Sequence, residues 1–360
     1  MEAASSKHRT HRRRLLARIG RLGIAVSLAA ASASASFAAG TRTVLNLVTA
    51  GAPTSAQVQA AERFARHLLA VSGGRMAARI EHRSGTLMGL WQGVGVGAID
   101  LHVADIGALV VLPQARMLNV LWTPFLFRDQ DHYRRFIRSA EFTQLADSVR
   151  QATGIRFVGQ VGDKAPRVIT NNRQPVRTVR DLEGLRFPVA PNPIFIRTYE
   201  LWGAIPEPMN ALQFHMALAG STVDGQDNGL LDFVRAKVLV KTHKHFSAVN
   251  WIHSGIGIWV SDAAWNRLSA EQRRWLKDTV QEAAAEGETI FAAEMARALE
   301  RLPELGIKVT TPELDSFRFV KTRIVAELEG QQWPSGLVAR IDAMGLPIQV
   351  SSQESSESSK

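Results

Sequence analysis

Apolar and polar positions change period repeatedly along this chain, and each change marks an element. Residues 44–50 are mostly apolar and predict a first strand. Residues 56–71 place Val58, Ala61, Ala65 and Leu68 on one face, with Glu62, Arg63 and Arg66 off it. That is the period of an amphipathic helix, and Gly73-Gly74 stops it. Met76, Ala78 and Ile80 alternate as a strand, residues 87–96 read as a helix despite their glycines, and residues 99–104 form a third strand. Asp105 stands at that strand's carboxyl end. A second unit of the same kind follows. Residues 185–190 predict a strand, and residues 193–202 a helix with Ile194, Ile196 and Tyr199 apolar and Arg197 and Glu200 polar. Gly203 closes that helix. Residues 205–209, 211–218 and 222–226 then predict strand, helix and strand. Strand–helix–strand order with short connections implies parallel strands and right-handed crossovers. Ligands in such sheets sit beyond the carboxyl ends of the strands. Residues 189–192 and 226–229 occupy two of those ends.

Between and after these units the pattern is plainer. Residues 122–127 form an apolar connection and residues 132–149 read as one helix. Residues 155–161 and 168–171 predict strands that carry the chain into a second lobe. The segment 230–250 is mixed and basic, and residues 255–260 are an apolar run. Ser269 and Gln272 make a capping box, and Leu276, Val280, Ala284, Ile290 and Met295 continue a helical period toward Pro303. A helix over residues 269–302 would be about 50 Å long. That length suits a brace touching both lobes; a break at Gly287 is the alternative.

A length of 360 residues with 46% hydrophobic content allows about two domains with ordinary cores. There is no cysteine, which excludes disulfides, thiolate catalysis and cysteine-ligated metal. The net charge of +10 changes meaning once it is located. Residues 1–39 hold seven basic side chains and one acid, and without them the net charge is +4. No basic stripe remains elsewhere to support nucleic-acid binding. The first segment has a basic start, an uncharged run from Leu22 and small residues at 33–38, the order of a cleaved export signal. A membrane anchor is the alternative, and Arg12-Arg13-Arg14 leaves both general and twin-arginine export open. The polar, low-complexity residues 351–360 predict a disordered tail.

Several motifs carry a family resemblance. D-L-E-G-L-R-F-P-V, G-A-I-P-E-P-M and V-D-G-Q-D-N-G resemble the solute-binding proteins of tripartite ATP-independent periplasmic (TRAP) transporters, the DctP-like family. L-N-L-V-T-A with A-E-R-F-A and S-G-G-R-M, G-A-I-D-L-H-V-A-D, T-P-F-L-F-R-D and V-I-T-N-N-R-Q-P-V-R-T match in the family's order. The resemblance covers roughly residues 43–300. It implies an α/β, two-lobed periplasmic binding protein fold, each lobe a mostly parallel sheet flanked by helices, with residues 255–260 returning to the first lobe. The expected layout is a signal peptide over 1–39, a first lobe of 40–164 and 254–293, and a second lobe of 165–253 and 294–350. The implied function is capture of a small solute, an organic or sugar acid, by hinge closure and delivery to a membrane permease, with no catalysis and no cofactor. A receptor that reports to a sensor instead of a permease, and a non-carboxylate solute, are the other readings.

The resemblance also assigns site residues. Arg167 matches an arginine that points into the inter-lobe cleft, and a guanidinium fork suits a carboxylate. As a residue alone it reads first as an exposed arginine flanking a strand, and the motif match reverses that order. Position 188 departs from the family: Pro188 stands where the main carboxylate-clamping arginine is expected, so that charge and its donors are missing. Asn228 matches a pocket asparagine, although Asp227-Asn228-Gly229 is also a turn sequence. Asn210 and Ala211 fall where the family has a proline and a pocket-facing aromatic, which implies a roomier pocket. Asp105 would suit hydroxyls or an amine, or else simply cap a helix. Trp91 and Trp251 are candidate cleft aromatics, with a core role as the alternative. His243, His245 and His253 lack a neighbouring acid that would complete a metal set. No nucleophile or acid–base pair is evident, and Gly93 to Gly97 lack dinucleotide-binding spacing.

Overall fold

The strands in chain order are β1 (Thr43–Thr49), β2 (Met76–His82), β3 (Leu101–Asp105), β4 (Ile155–Lys164), β5 (Ile169–Asn171), β6 (Arg186–Val189), β7 (Ile205–Pro208), β8 (Gly225–Gln226), β9 (His245–Ser247), β10 (Ser254–Ser261) and β11 (Lys308–Thr310). They come from a computed structural model that describes residues 42–345 apart from 84, 211, 212, 215, 218, 219 and 221. The expected signal segment, the tail over 351–360, Ala211 and half of the expected helix over 211–218 therefore lie outside the described residues.

The first sheet has the order β2-β1-β3-β10-β4. β1 is parallel to β2 and β3, as the strand–helix–strand pattern predicts. β10 inserts between β3 and β4, antiparallel to both, and is buried along its whole length. The helix Ala56–Val71 covers this sheet. Ser55 caps its start by accepting from the Val58 N–H, and it buries Val58, Ala61, Phe64 and Leu68. The second sheet has the order β11-β9-β5-β8, with β6 and β7 as a separate parallel pair. The expected parallel run therefore holds for β6 and β7 only, because β8 pairs antiparallel with β5. Asp224 stitches the two pieces together: its N–H donates to Arg186 O at 2.9 Å, and its carboxylate accepts from the Arg186 N–H at 2.9 Å.

The chain passes between the sheets side by side in two places. After β4 and before β10, Arg167 N–H donates to Ile252 O at 3.0 Å and Trp251 N–H donates to Arg167 O at 3.2 Å. The long helix Ala270–Arg301 is the third connection. It runs unbroken for 32 residues, roughly 48 Å. Its early part packs Leu276, Val280 and Ala283 into the first core, and its end packs Ala298 beside Phe233 and Phe246 in the second. Gly287 does not break it, because its role is close approach. A Cβ there would lie 2.7 Å from Arg63 Nη2 and 3.0 Å from Val161 O. The buried Arg63 donates to Ala283 O at 3.0 Å and Val161 O at 2.8 Å, tying the helix to β4.

Two parts of the pattern resolve differently from expectation. The single helix over 132–149 is two helices, Gln130–Ile137 and Ala140–Thr153, separated where Ser139 caps the second by accepting from Phe142 N–H at 3.1 Å. The helix Leu337–Met344, within the span expected in the second lobe, packs against Gln130–Ile137 instead. His132 accepts from Arg128 N–H through Nδ1 at 3.2 Å and donates from Nε2 to Ile341 O at 2.7 Å, while Arg340 pairs with Glu141 at 2.9 Å.

Candidate functional site

The crossing strands position the site. Arg167 forms an isolated antiparallel bridge with Gly229, and Val168 N–H donates to Asn228 O at 3.1 Å. Gly229 has an ordinary φ of −69°, so its requirement is space rather than backbone angle. A Cβ at Gly229 would lie 2.6 Å from Ala165 O and 2.7 Å from Ala165 Cβ. We therefore expect Gly229→Ala to destabilise the fold by about 1–3 kcal/mol, the usual cost of overpacking. Urea unfolding checks this, and a change under about 0.5 kcal/mol would show that the close approach is not required.

This bridge brings Asp227 onto Arg167. The guanidinium donates to the carboxylate through Nε at 3.1 Å and through Nη2 at 2.8 Å. The two side chains are 16% and 5% exposed, so solvent screens the pair weakly. Nη1 makes no hydrogen bond among the described residues. The guanidinium also lies 4.8 Å from the centre of the Phe195 ring. Phe195 belongs to the helix Pro193–Leu201, which Asn192 caps and Pro193 opens at the end of β6. Burial opposes the Arg167 charge, but Asp227, with smaller help from Tyr199 and Asp105, outweighs it and raises the pKa above its ordinary value. The Tyr199 hydroxyl is buried beside Asp227 without meeting hydrogen-bond geometry, and burial first, then Asp227, pushes its pKa far up.

Asp105 arrives from β3. It caps the short 3-10 helix Ile106–Val111 by accepting from Gly107 N–H at 3.1 Å, and its other oxygen lies 3.5 Å from Lys164 Nζ. Contacts across the two sets of strand ends close this region. Asn192 donates to Asn119 at 2.8 Å, and the Phe195 ring stands 5.5 Å from Trp122. The arrangement places one buried, oriented cation beside two carboxylates, a lysine and aromatic walls. That set can bind an anion or a polar solute, and it offers no activated nucleophile.

Residues 47–331 match the model of the family described as bacterial extracellular solute-binding protein, family 7 (DctP). The chain belongs to this family. Among the relatives of this family 7 protein is the 2,3-diketo-L-gulonate-binding periplasmic protein YiaO of Escherichia coli, 25% identical over 74% of this chain and 80% of the relative. Another is the sialic acid-binding periplasmic protein SiaP of Vibrio cholerae, 24% identical over 89% and 99%. Among solved structures, a TRAP periplasmic solute binding protein from Polaromonas bound to D-erythronate superposes with a TM-score of 0.75 at 22% identity, covering 85% of this chain and 100% of the other. One from Pseudomonas putida with bound D-glucuronate gives 0.74 at 23% identity, covering 84% and 98%. The TRAP solute-binding resemblance and the two-lobed α/β fold expected from the sequence are thus borne out.

The remaining candidates of this family 7 protein separate. Asn228 is half-buried beside Arg167; its backbone N–H donates to Gln226 Oε1 at 2.7 Å, and its carboxamide has no partner among the described residues. Pro188 is buried in β6 opposite Glu207. Asn210 is exposed and exchanges hydrogen bonds with Gln213 at 2.9 and 3.0 Å, so it caps a helical turn. Trp91 is wholly buried, edge-on to His102 at 4.5 Å and Trp259 at 5.8 Å, and belongs to the core of the first sheet. Trp251 is also buried, backing the site against Phe195, Tyr199 and Trp202. His243 and His253 are buried apart, the first against Thr170 at 3.0 Å and the second against Gln130 at 3.3 Å. Asp227, Phe195, Tyr199 and Lys164 were not singled out from the sequence; only Asp227 carried a signal, as the acid beside the matched asparagine. Two cavities of about 680 and 630 Å³ lie elsewhere, one over β4 beside Phe142 and Val280, the other beside Phe125 and His253.

Proposed function

We propose that this family 7 protein is the periplasmic receptor of a TRAP transporter. It captures a small organic or sugar acid and delivers it to a membrane permease. The observation that carries the reading is Arg167: a buried guanidinium, fixed on one edge by Asp227, with Nη1 unpaired among the described residues. A fixed fork meets a carboxylate with little ordering cost. The acids named for its relatives and structural neighbours support this chemistry. Residues 1–39 act as a cleaved export signal, and among the described residues no helix is long and apolar enough to cross a membrane. The crossing strands at Arg167 and Ile252 serve as the hinge. A second reading, a neutral or cationic solute, draws on the charge already balanced by Asp227 and on the carboxylate of Asp105.

The test is a thermal-shift screen of protein recovered from the periplasm against sugar acids, aromatic acids, amino acids and polyols, followed by small-angle scattering. A binding acid raises the melting temperature by mass action, about 2.7 kcal/mol of stabilisation at a hundredfold excess over its dissociation constant, and reduces the radius of gyration. Stabilisation by amines or polyols alone sinks the acid reading. An unchanged radius with every stabilising solute sinks the hinge.

A further inference from the structure

We infer that the cleft has hydrogen-bonding room for a single carboxylate and discriminates against dicarboxylates, with Asp227 and Pro188 setting that limit; this rests on the reading of the solute as an acid. A guanidinium presents more than one edge to oxygen ligands. Asp227 covers the Nε side of Arg167 with two hydrogen bonds of 3.1 and 2.8 Å. What remains for a solute is Nη1 and the outer hydrogen of Nη2, room for one carboxylate. Position 188, where the resemblance leads one to expect a second cation, is a buried proline with no charge and no donor. The carboxylates that act most on Arg167 are those of Asp227 and, more weakly, Asp105. The nearby lysine, Lys164, is turned to Asp105 at 3.5 Å. Arg167 and Lys164 thus cancel Asp227 and Asp105, and the first solute carboxylate already leaves the site one charge negative. A second would enter a poorly hydrated cleft beside two carboxylates with no free cation among the described residues to meet it, which is strongly unfavourable. Hydroxyls fit the rest of the site: Asp105 accepts, and the Asn228 carboxamide, unpartnered among the described residues, both donates and accepts. The solute class is a polyhydroxy monocarboxylate. Asp227 acts through Arg167 and is a positioning residue.

Calorimetry with matched pairs tests this. D-gluconate and D-glucarate, and likewise D-erythronate and meso-tartrate, differ in whether the far carbon is a hydroxymethyl or a carboxylate. The native protein should bind the monocarboxylate of at least one pair, and at least tenfold more tightly than its dicarboxylate partner. Equal affinities, or tighter dicarboxylate binding, overturn the inference without any variant being made. Asp227→Asn removes one negative charge and loosens the covered edge, so the ratio should narrow at least tenfold, and Asp227→Glu should restore it. A purely structural role for Asp227 would weaken both members equally, and an unchanged ratio in Asp227→Asn overturns the assignment of that residue. If neither member of either pair binds while amines or neutral polyols do, the acid reading itself falls, and this inference with it.

Discussion

Arg167→Ala lowers affinity for the solute by roughly 2–5 kcal/mol, the range for truncating one partner of a buried, hydrogen-bonded charge pair. Two losses combine. The solute loses its cation, and Asp227 is left buried without the two donors that now hold it at 3.1 and 2.8 Å. Stability of the unliganded protein falls too, because an uncompensated buried carboxylate is costly. Arg167→Lys recovers only part of the affinity, since a compact ammonium lacks the planar fork that presents one paired edge to Asp227 and another to the solute. Calorimetry with the best solute from the thermal screen reads the effect. A change below about 1 kcal/mol, less than one ordinary charged hydrogen bond, together with larger losses in Asp105→Ala and Asn228→Ala, points to a neutral or cationic solute.

Mild acid destabilises the fold by several kcal/mol through two buried histidines. Burial lowers His243 to a pKa of about 4, with its Nδ1 against Thr170 in the second sheet. Burial likewise lowers His253 to about 4, near Gln130 in the first, where Asp129 and Asp163 only partly oppose the effect and His132 adds to it. Both pKa values are depressed in the folded state, so the unfolded chain takes up protons first. Their contribution is fully present above about pH 6.5 and is lost as pH falls toward 4, roughly 2–3 kcal/mol for each residue. Urea unfolding at pH 7.5, 6.0 and 4.5 should show that fall, and replacing His243 with a non-titrating side chain should reduce it by about half. Equal stability at pH 7.5 and 4.5 would contradict the burial argument.

The parts of the fold that were legible in the sequence are those fixed locally. The helix Ala56–Val71 shows its bounds in Ser55 and Gly73-Gly74, and the long helix shows its start in the Ser269–Gln272 box. The break before Ala140 was hidden because Phe136, Ile137, Phe142 and Leu145 keep an apolar period across Ser139, a cap that looks like any surface serine. β8 is two residues long and chooses its antiparallel partner from a distant segment, so no local pattern could specify it. The helix Asp315–Leu328 was readable from the spacing of Phe317, Val320 and Ile324 and was missed. At the site, the motif supplied Arg167 and Asn228 without their environment. The Arg167–Asp227 pair joins side chains 60 positions apart through a backbone bridge at Gly229, and only the folded chain shows it. Trp91 carried no sequence signal that separated a cleft wall from a core.

The central claim is that Arg167, oriented by Asp227, receives one carboxylate of a hydroxylated acid. A crystal structure with the solute that stabilises the protein most tests it directly. The account predicts a carboxylate within hydrogen-bond distance of Arg167 Nη1, Asp227 still on the Nε side, and solute hydroxyls against Asp105 or Asn228. A solute seated with no acid group at Arg167, or lodged in the cavity beside Phe142 and Val280, would contradict it.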